Sequence, residues 1–384
     1  MKSRKLILEC STKNMGNKDK TGTLADGTRK PLLEAISEAI GDCPDGVIDL
    51  TAGSLAVSLH LNSECGQRVI ANDCRKATYC HCQALFKNDG CVVTDNDVAL
   101  LQNGDLVAGP LTQLHGTVLG KKNASHFDRI IRNLGRLAGD GAEQKRIIAI
   151  AGILQAISGA LNVYHLRGAN RDTGAAGNEH LRDADLISKW REWVLVKHPE
   201  IARRITPGCE SYNEDAVLLM QEKLPCASCL YLDLPYATGN YPADLKVFED
   251  ICHVCERKAP SDPIFRHPAQ PIHRFDNRID FIGNLTKLLL LSAHIPRWVI
   301  SINTSSPVKP EEIARIARSM GRASEIRRYR VPLRTNRRRA RPDDNHECLV
   351  VCVRDTGLEN QIKGIRQTIS ALAKATLGGD GHAA

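Results

Sequence analysis

The residues best suited to chemistry stand where apolar runs end. Leu230-Tyr231-Leu232-Asp233-Leu234-Pro235-Tyr236 has an apolar strand pattern that closes on a carboxylate, a backbone carbonyl, a proline and an aromatic ring. The same letters also describe a strand end followed by an ordinary proline turn. Thr51-Ala52-Gly53-Ser54 follows a second apolar run, residues 46–50, and opens a third, residues 56–61. A turn of that kind can bring backbone close to a ligand and set its amides at a helix N-terminus, or it can simply connect strand to helix. Asp73 closes the run at residues 68–71, about twenty residues beyond the glycine turn. There an acidic side chain can accept hydrogen bonds from both ribose hydroxyls of a nucleoside cofactor. An exposed loop aspartate is the alternative.

Other clusters invite a functional reading and a plain one. Cys226 and Cys229, with Cys252 and Cys255, form two CxxC pairs on either side of the Asp233 segment, a pattern that holds zinc in many proteins. A helix from about residue 243 running back along a sheet would let the pairs meet at its bottom edge. Against this, Cys229 falls in or beside a buried strand, and free cysteines are common core residues; no metal is expected at the site. Cys80-His81-Cys82 reads as a coincidence on a helix surface, and Trp190 with Trp193 as core packing rather than a base-stacking platform. Arg327, Arg328, Arg330, Arg334, Arg337, Arg338, Arg339 and Arg341 crowd around a hairpin, where they would neutralise phosphates or form a solvated charged turn. Lys121, Lys122, Arg129, Arg132 and Arg136 make a second basic stretch.

The elements that position these residues follow from periodicity. Strand, turn, helix and strand over residues 46–71, with a helix carrying Tyr79 and Leu85 behind them, make a βαβ unit of Rossmann type. From about residue 94 to 207 the pattern turns mostly helical, with an apolar helix over 147–161, and reads as an insert. Strand patterns resume at 230–233, 298–303, 326–333 and 348–353, with a helix over 311–320. The last two strands, joined by a short arginine-rich connection, suit an antiparallel hairpin ending an otherwise parallel sheet. Of 384 residues, 42% are hydrophobic and 25% charged, and Lys plus Arg exceed Asp plus Glu for a net charge of +8. The composition is that of a folded chain whose surface attracts polyanions. A short apolar run in residues 1–10, with no later run long enough to span a bilayer, leads to the expectation of a soluble cytoplasmic protein whose fourteen cysteines are reduced thiols or metal ligands.

Taken together, the Asp233 segment resembles the Asp-Pro-Pro-Tyr motif of amino-group DNA methyltransferases. Asp49-Leu50-Thr51-Ala52-Gly53-Ser54 looks like the Asp-Phe-Ala-Gly-Ser-Gly of the Dam-type adenine-specific members. Ala71-Asn72-Asp73 looks like their ribose-binding strand end, and Asn213-Glu214-Asp215-Ala216 resembles the acidic position that contacts the cofactor adenine. Ser301-Ile302-Asn303 followed by Lys309 to Ile313, and later His346 to Val350, resemble the family's closing strands, so the likeness runs over most of the chain. It implies a class I, Rossmann-like methyltransferase fold: a mixed seven-stranded sheet with a terminal antiparallel hairpin and a mostly helical target-recognition insert.

By that resemblance S-adenosylmethionine is the methyl donor. Asp233 and the Leu234 carbonyl would accept the two hydrogens of a target amine, Pro235 would shape the turn, and Tyr236 would stack on a flipped-out adenine. Asp49, Thr51, Ala52, Gly53, Ser54, Asp73 and Asp215 would hold the cofactor, together with an N-terminal Gly and Lys. For the last pair Gly27 and Lys30 have the better spacing to the turn, while Gly16-Asn17-Lys18 has the closer letters. Three positions depart from the family: Leu55 stands for its second glycine, Leu234 for its first proline, and the usual aromatic is missing before either N-terminal candidate.

The expectation is therefore a methyltransferase domain in residues 1–95 and 208–384, with an insert at 96–207. It would act as a monomer on duplex DNA near the nucleoid, with no membrane association and with a restriction or defence-system partner among its conceivable associates. Arg334, Arg337, Arg338 and Arg339 would contact phosphates. A cofactor- or DNA-binding relative without activity, or an enzyme acting on RNA or a protein amide, is the alternative.

Overall fold

Short apolar strands with side chains alternating between two faces organise the molecule. The structure, a computed structural model, describes residues 30–160, 184–223, 225–234, 246–256, 277–303, 306–330 and 346–355, with isolated residues 275, 357 and 367. Strands β1 (Val47–Asp49), β2 (Val69–Asn72), β3 (Glu210–Tyr212), β4 (Cys229–Asp233), β5 (Arg297–Asn303), β6 (Arg322–Arg330) and β7 (His346–Arg354) form one seven-stranded sheet in the order β3-β2-β1-β4-β5-β7-β6. The first five in that order run parallel, and β7 is antiparallel to both β5 and β6. The fold is thus a mixed α/β sheet compatible with a Rossmann-like arrangement, and the antiparallel closing pair lies where sequence periodicity puts it.

Strand β3 is absent from the sequence expectation, which ran from the insert directly to residue 230. Its Glu-Ser-Tyr offers no apolar alternation, because it is a half-buried strand that pairs, among the described residues, with β2 alone.

Helices cover both faces. On one side Leu230 and Leu232 of β4, Trp298 and Ile300 of β5, and Val350 of β7 meet α10 (Ala216–Glu222), α12 (Arg278–Leu291) and α13 (Pro310–Ser319). On the other, Tyr231, Val299 and Leu349 meet α1 (Lys30–Ile40), α2 (Ala56–Leu59) and α3 (Lys76–Phe86). Cover on both faces explains why the central strands read as continuous apolar runs.

The helical region comprises α4 (Asp95–Leu101), α5 (Pro110–Leu119), α6 (Lys121–Asn133), α7 (Ala142–Ala160), α8 (Leu186–Glu192) and α9 (His198–Ala202). Its core does not stop at the expected insert boundaries. Cys80 and Ala84 of α3 enter it, as do Phe248, Ile251, Cys252 and Cys255 of α11 (Lys246–Glu256). Helix α3 therefore works with both faces, touching the sheet through Cys82 and Leu85 and the helical core through Cys80 and Ala84. Trp190 and Trp193 are buried in this core, and the Trp190 indole donates to the Ala149 carbonyl at 3.0 Å. Cys80, His81 and Cys82 are buried too, so the expected position on a helix surface is corrected: α3 is packed on both sides. Among the described residues no helix is long and apolar enough to cross a membrane.

Candidate active site

From β1 the chain builds outward to β2 and β3 on one side, then returns to place β4 on the other. The carboxyl ends of β1 and β4 therefore mark the point where strand order reverses, and in open α/β sheets that crevice is where ligands bind. The glycine turn leaves β1 there. The Leu50 amide still pairs with Tyr231 of β4, while the Ala52 amide crosses to the Asn72 carbonyl at the end of β2. Gly53 then takes φ +55°, and Leu55 takes φ 61° and ψ 7°.

Among the described residues Leu55 is the one non-glycine residue with positive φ. It adopts the left-handed conformation natural to the glycine that stands there in the resembling family, at a cost of about 1–2 kcal/mol. Its side chain is buried against Leu59 and the α1 face, which offsets that cost.

Asp73, buried at the end of β2, organises the turn. Its Oδ2 accepts from the Gly53 amide at 2.7 Å and from Arg75 Nη2 at 3.0 Å. Its Oδ1 accepts from the Arg75 amide at 2.9 Å and from Arg75 Nε at 3.0 Å. Asn72 braces the neighbouring strand ends: its Nδ2 donates to the Leu50 and Glu214 carbonyls, and its Oδ1 accepts from the Glu214 amide. Asp215 stands at the start of α10 as its N-cap, accepting from the Val217 and Leu218 amides.

Asp233 closes β4 at an exposed position, with Leu234 buried beyond it. The Thr51 hydroxyl fixes this strand end from both directions, donating to the Asp233 carbonyl at 3.0 Å and accepting from the Asp233 amide at 3.1 Å. One side chain of the glycine turn thereby sets the backbone from which Asp233 and Leu234 project. Asp49, at the end of β1, is almost fully buried, and its Oδ2 accepts from the Ser58 hydroxyl at 2.6 Å. Burial pushes its pKa up to about 7 against the pull of Ser58, and the charges of Asp233 and Asp73 push the same way. Its Oδ1 has no hydrogen-bond partner among the described residues.

Of the predicted site residues, the edge brings together Asp49, Thr51, Ala52, Gly53, Asp73 and Asp233, with half-buried Ser54 in the same turn. Lys30 is the exposed first residue of α1, and its charge reaches His60 just beyond α2. Gly27, Gly16 to Lys18, Pro235, Tyr236, Arg334, Arg337, Arg338 and Arg339 lie outside the described residues. On α6 the exposed Lys121, Lys122 and Arg132, together with half-buried Arg129, share the solvent side; Arg129 and Arg132 also donate to the Gly104 and Asp105 carbonyls.

The two CxxC pairs do not meet. Cys229 packs in the sheet core with Cys43, whereas Cys252 and Cys255 belong to the helical core. Among the described residues no group of three or more His, Cys, Asp or Glu side chains gathers as a metal site. The meeting that a helix running back along the sheet would allow does not occur, because α11 packs on the helical region.

Sequence reasoning missed Arg75, the clamping role of Thr51, and Glu249. The Glu249 carboxylate on α11 accepts the Lys76 and Ala77 amides at 3.2 and 3.1 Å and so caps α3 from a distant segment. Beside it, Asp250 pairs with His115 of α5 at 3.0 Å. Arg75 could have been flagged as a cation two residues beyond the aspartate that follows β2; a long-range cap such as Glu249 leaves no local signal. Comparison with protein-family models, with curated proteins and with solved structures finds no match for this chain.

Proposed function

We propose that the chain is a class I methyltransferase that moves a methyl group from S-adenosylmethionine to the exocyclic amino group of an adenine in DNA. The observation that carries this reading is the reciprocal Thr51–Asp233 clamp at the strand-order reversal, which joins a glycine turn to the carboxylate that would receive the amine. The left-handed turn at Gly53 and Leu55, the acidic end of β2 and the buried Oδ1 of Asp49, which has no partner among the described residues, fit a ligand with a ribose and with donor groups. A mostly parallel sheet closed by an antiparallel strand pair supports the fold assignment.

Bound there, S-adenosylmethionine supplies an electrophilic methyl on a sulfonium. Asp73 would accept the ribose hydroxyls, and the glycine-turn amides would line the approach. Asp233 and the Leu234 carbonyl would accept the two amine hydrogens, which turns the nitrogen lone pair toward the methyl and holds it for in-line attack. The methyl–sulfur bond would break as the new N–C bond forms, leaving S-adenosylhomocysteine; the Asp233 carboxylate would stabilise the positive charge gained by the amine until its proton passes to solvent. The basic side of α6 supports a polyanionic substrate.

Incubation with unmethylated genomic DNA and methyl-labelled S-adenosylmethionine, followed by nucleoside analysis, tests the reading. Label should appear in 6-methyladenine with the wild type and be lost with Asp233→Ala. Label in RNA or protein alone, or no label from a preparation that binds the cofactor, would replace the DNA reading with one of the alternatives.

A further inference from the structure

Asp73 is the acceptor that a cofactor ribose uses in the function proposed above, and its acceptor positions are already filled. An ionised carboxylate offers about four lone-pair sites, two on each oxygen, and here each oxygen takes two donors. Two of those donors, the Gly53 and Arg75 amides, are backbone groups built into the turn. The other two belong to a single side chain. Arg75 lays Nε on one oxygen and Nη2 on the other, in the forked geometry that a guanidinium and a carboxylate share. Without that side chain one acceptor position would open on each oxygen, which is the arrangement a vicinal diol needs.

We propose that the Arg75 guanidinium occupies the ribose-hydroxyl positions of Asp73 and must leave them for a nucleoside to bind, so that Arg75 is a built-in competitor that sets cofactor affinity. The inference rests on the ribose role given to Asp73. A second acceptor lies nearby to receive the displaced group. Glu249 accepts one backbone amide on each carboxylate oxygen; burial raises its pKa, and the Arg75 charge, close enough to act on it, opposes that rise in part. Because Glu249 lies on α11, transfer of Arg75 from Asp73 to Glu249 ties filling of the cofactor site to the position of that helix.

A purely structural Arg75, holding Asp73 ionised and oriented, makes a different prediction, and the ligand's hydroxyls separate the two. Equilibrium binding of S-adenosylhomocysteine and of its 2′,3′-dideoxy analogue is measured for the wild type, Arg75→Ala, Arg75→Lys and Asp73→Ala, with each melting temperature recorded. Competition predicts that Arg75→Ala tightens S-adenosylhomocysteine by about tenfold, the worth of recovering hydrogen bonds to a charged acceptor, and shifts the dideoxy analogue by less than about twofold. Arg75→Lys, with a single ammonium in place of the fork, falls between wild type and alanine, and it decides the question if the alanine variant does not fold. Unchanged or weaker S-adenosylhomocysteine binding in the Arg75 variants, or an equal gain for both ligands, overturns the competitor while leaving the cofactor reading intact. Wild-type affinity in Asp73→Ala, or no binding by any variant, overturns both.

Discussion

The carboxyl edge of the sheet and the helical region beside it are held together in opposite ways. At the edge, positions are set by polar bonds crossing between strand ends: Thr51 to Asp233, Gly53 to Asp73, Asn72 to Leu50 and Glu214. In the helical region, Ile148, Ile150, Ile153, Leu154 and Ile157 of α7 pack fully buried against Phe127 of α6 and Trp190 of α8. The first arrangement gives directional, short-range precision, and the second gives bulk stability without fixing any one group to a hydrogen-bond length. The difference teaches where to look for each property. Substitutions at the edge should alter chemistry more than stability, and substitutions in the helical core the reverse.

The largest expected effect comes from the helical side. Trp190→Ala removes a fully buried ring and its bond to Ala149, and should cost about 3–5 kcal/mol in urea unfolding. Cofactor affinity of the molecules still folded should be unchanged; a parallel loss of affinity would break the division between the two regions.

Next is Asp49, whose burial makes it the edge residue with the strongest effect on stability. Its folded pKa of about 7 lies above its ordinary 3.8. The folded chain therefore holds that proton more tightly, and stability present below pH 4 is lost as pH rises toward 7, by up to roughly 4 kcal/mol. Asp49→Asn should flatten this part of the profile of unfolding free energy between pH 4 and 7. An unchanged slope would mean that Asp49 ionises as an ordinary carboxylate.

A smaller effect isolates backbone strain. Leu55→Ala and Leu55→Gly both lose a buried side chain, but only glycine is free of the left-handed penalty. The glycine variant should be the more stable of the two by about 1–2 kcal/mol, the reverse of the usual order for residues entering a helix. Equal melting curves would remove strain from the account of this turn.

Thr51→Val should change stability least, by about 1 kcal/mol, yet lower methyl transfer about tenfold with cofactor affinity retained, because it frees the Asp233 backbone. Loss of affinity with no change in rate would show that the clamp serves binding and not positioning.

The two regions were also unequally legible in the sequence. Asp49, the glycine turn, Asp73 and Asp233 could be read because each ends an apolar run, and parallel strands bring consecutive run ends to one edge. Strand β3 could not, since an edge strand of three half-buried residues carries no alternation. Periodicity showed a mostly helical stretch and placed the helices around residues 147–161 and Trp190, but not what they pack against. Nothing local tells that α11 leaves the sheet to join the helical core, and this is why a meeting of the cysteine pairs stays open in the sequence and does not occur in the fold. Arg75 was passed over for a related reason: an arginine beside an aspartate has no visible function until the fold turns its fork onto both oxygens.

The most direct test of the central claim is equilibrium binding of S-adenosylmethionine to the folded wild type and to Asp73→Ala at fixed ionic strength. The account predicts saturable one-to-one binding that Asp73→Ala weakens by about tenfold or more. A folded wild type that does not bind S-adenosylmethionine, or an Asp73→Ala variant that binds it equally well, would contradict a cofactor site at this edge.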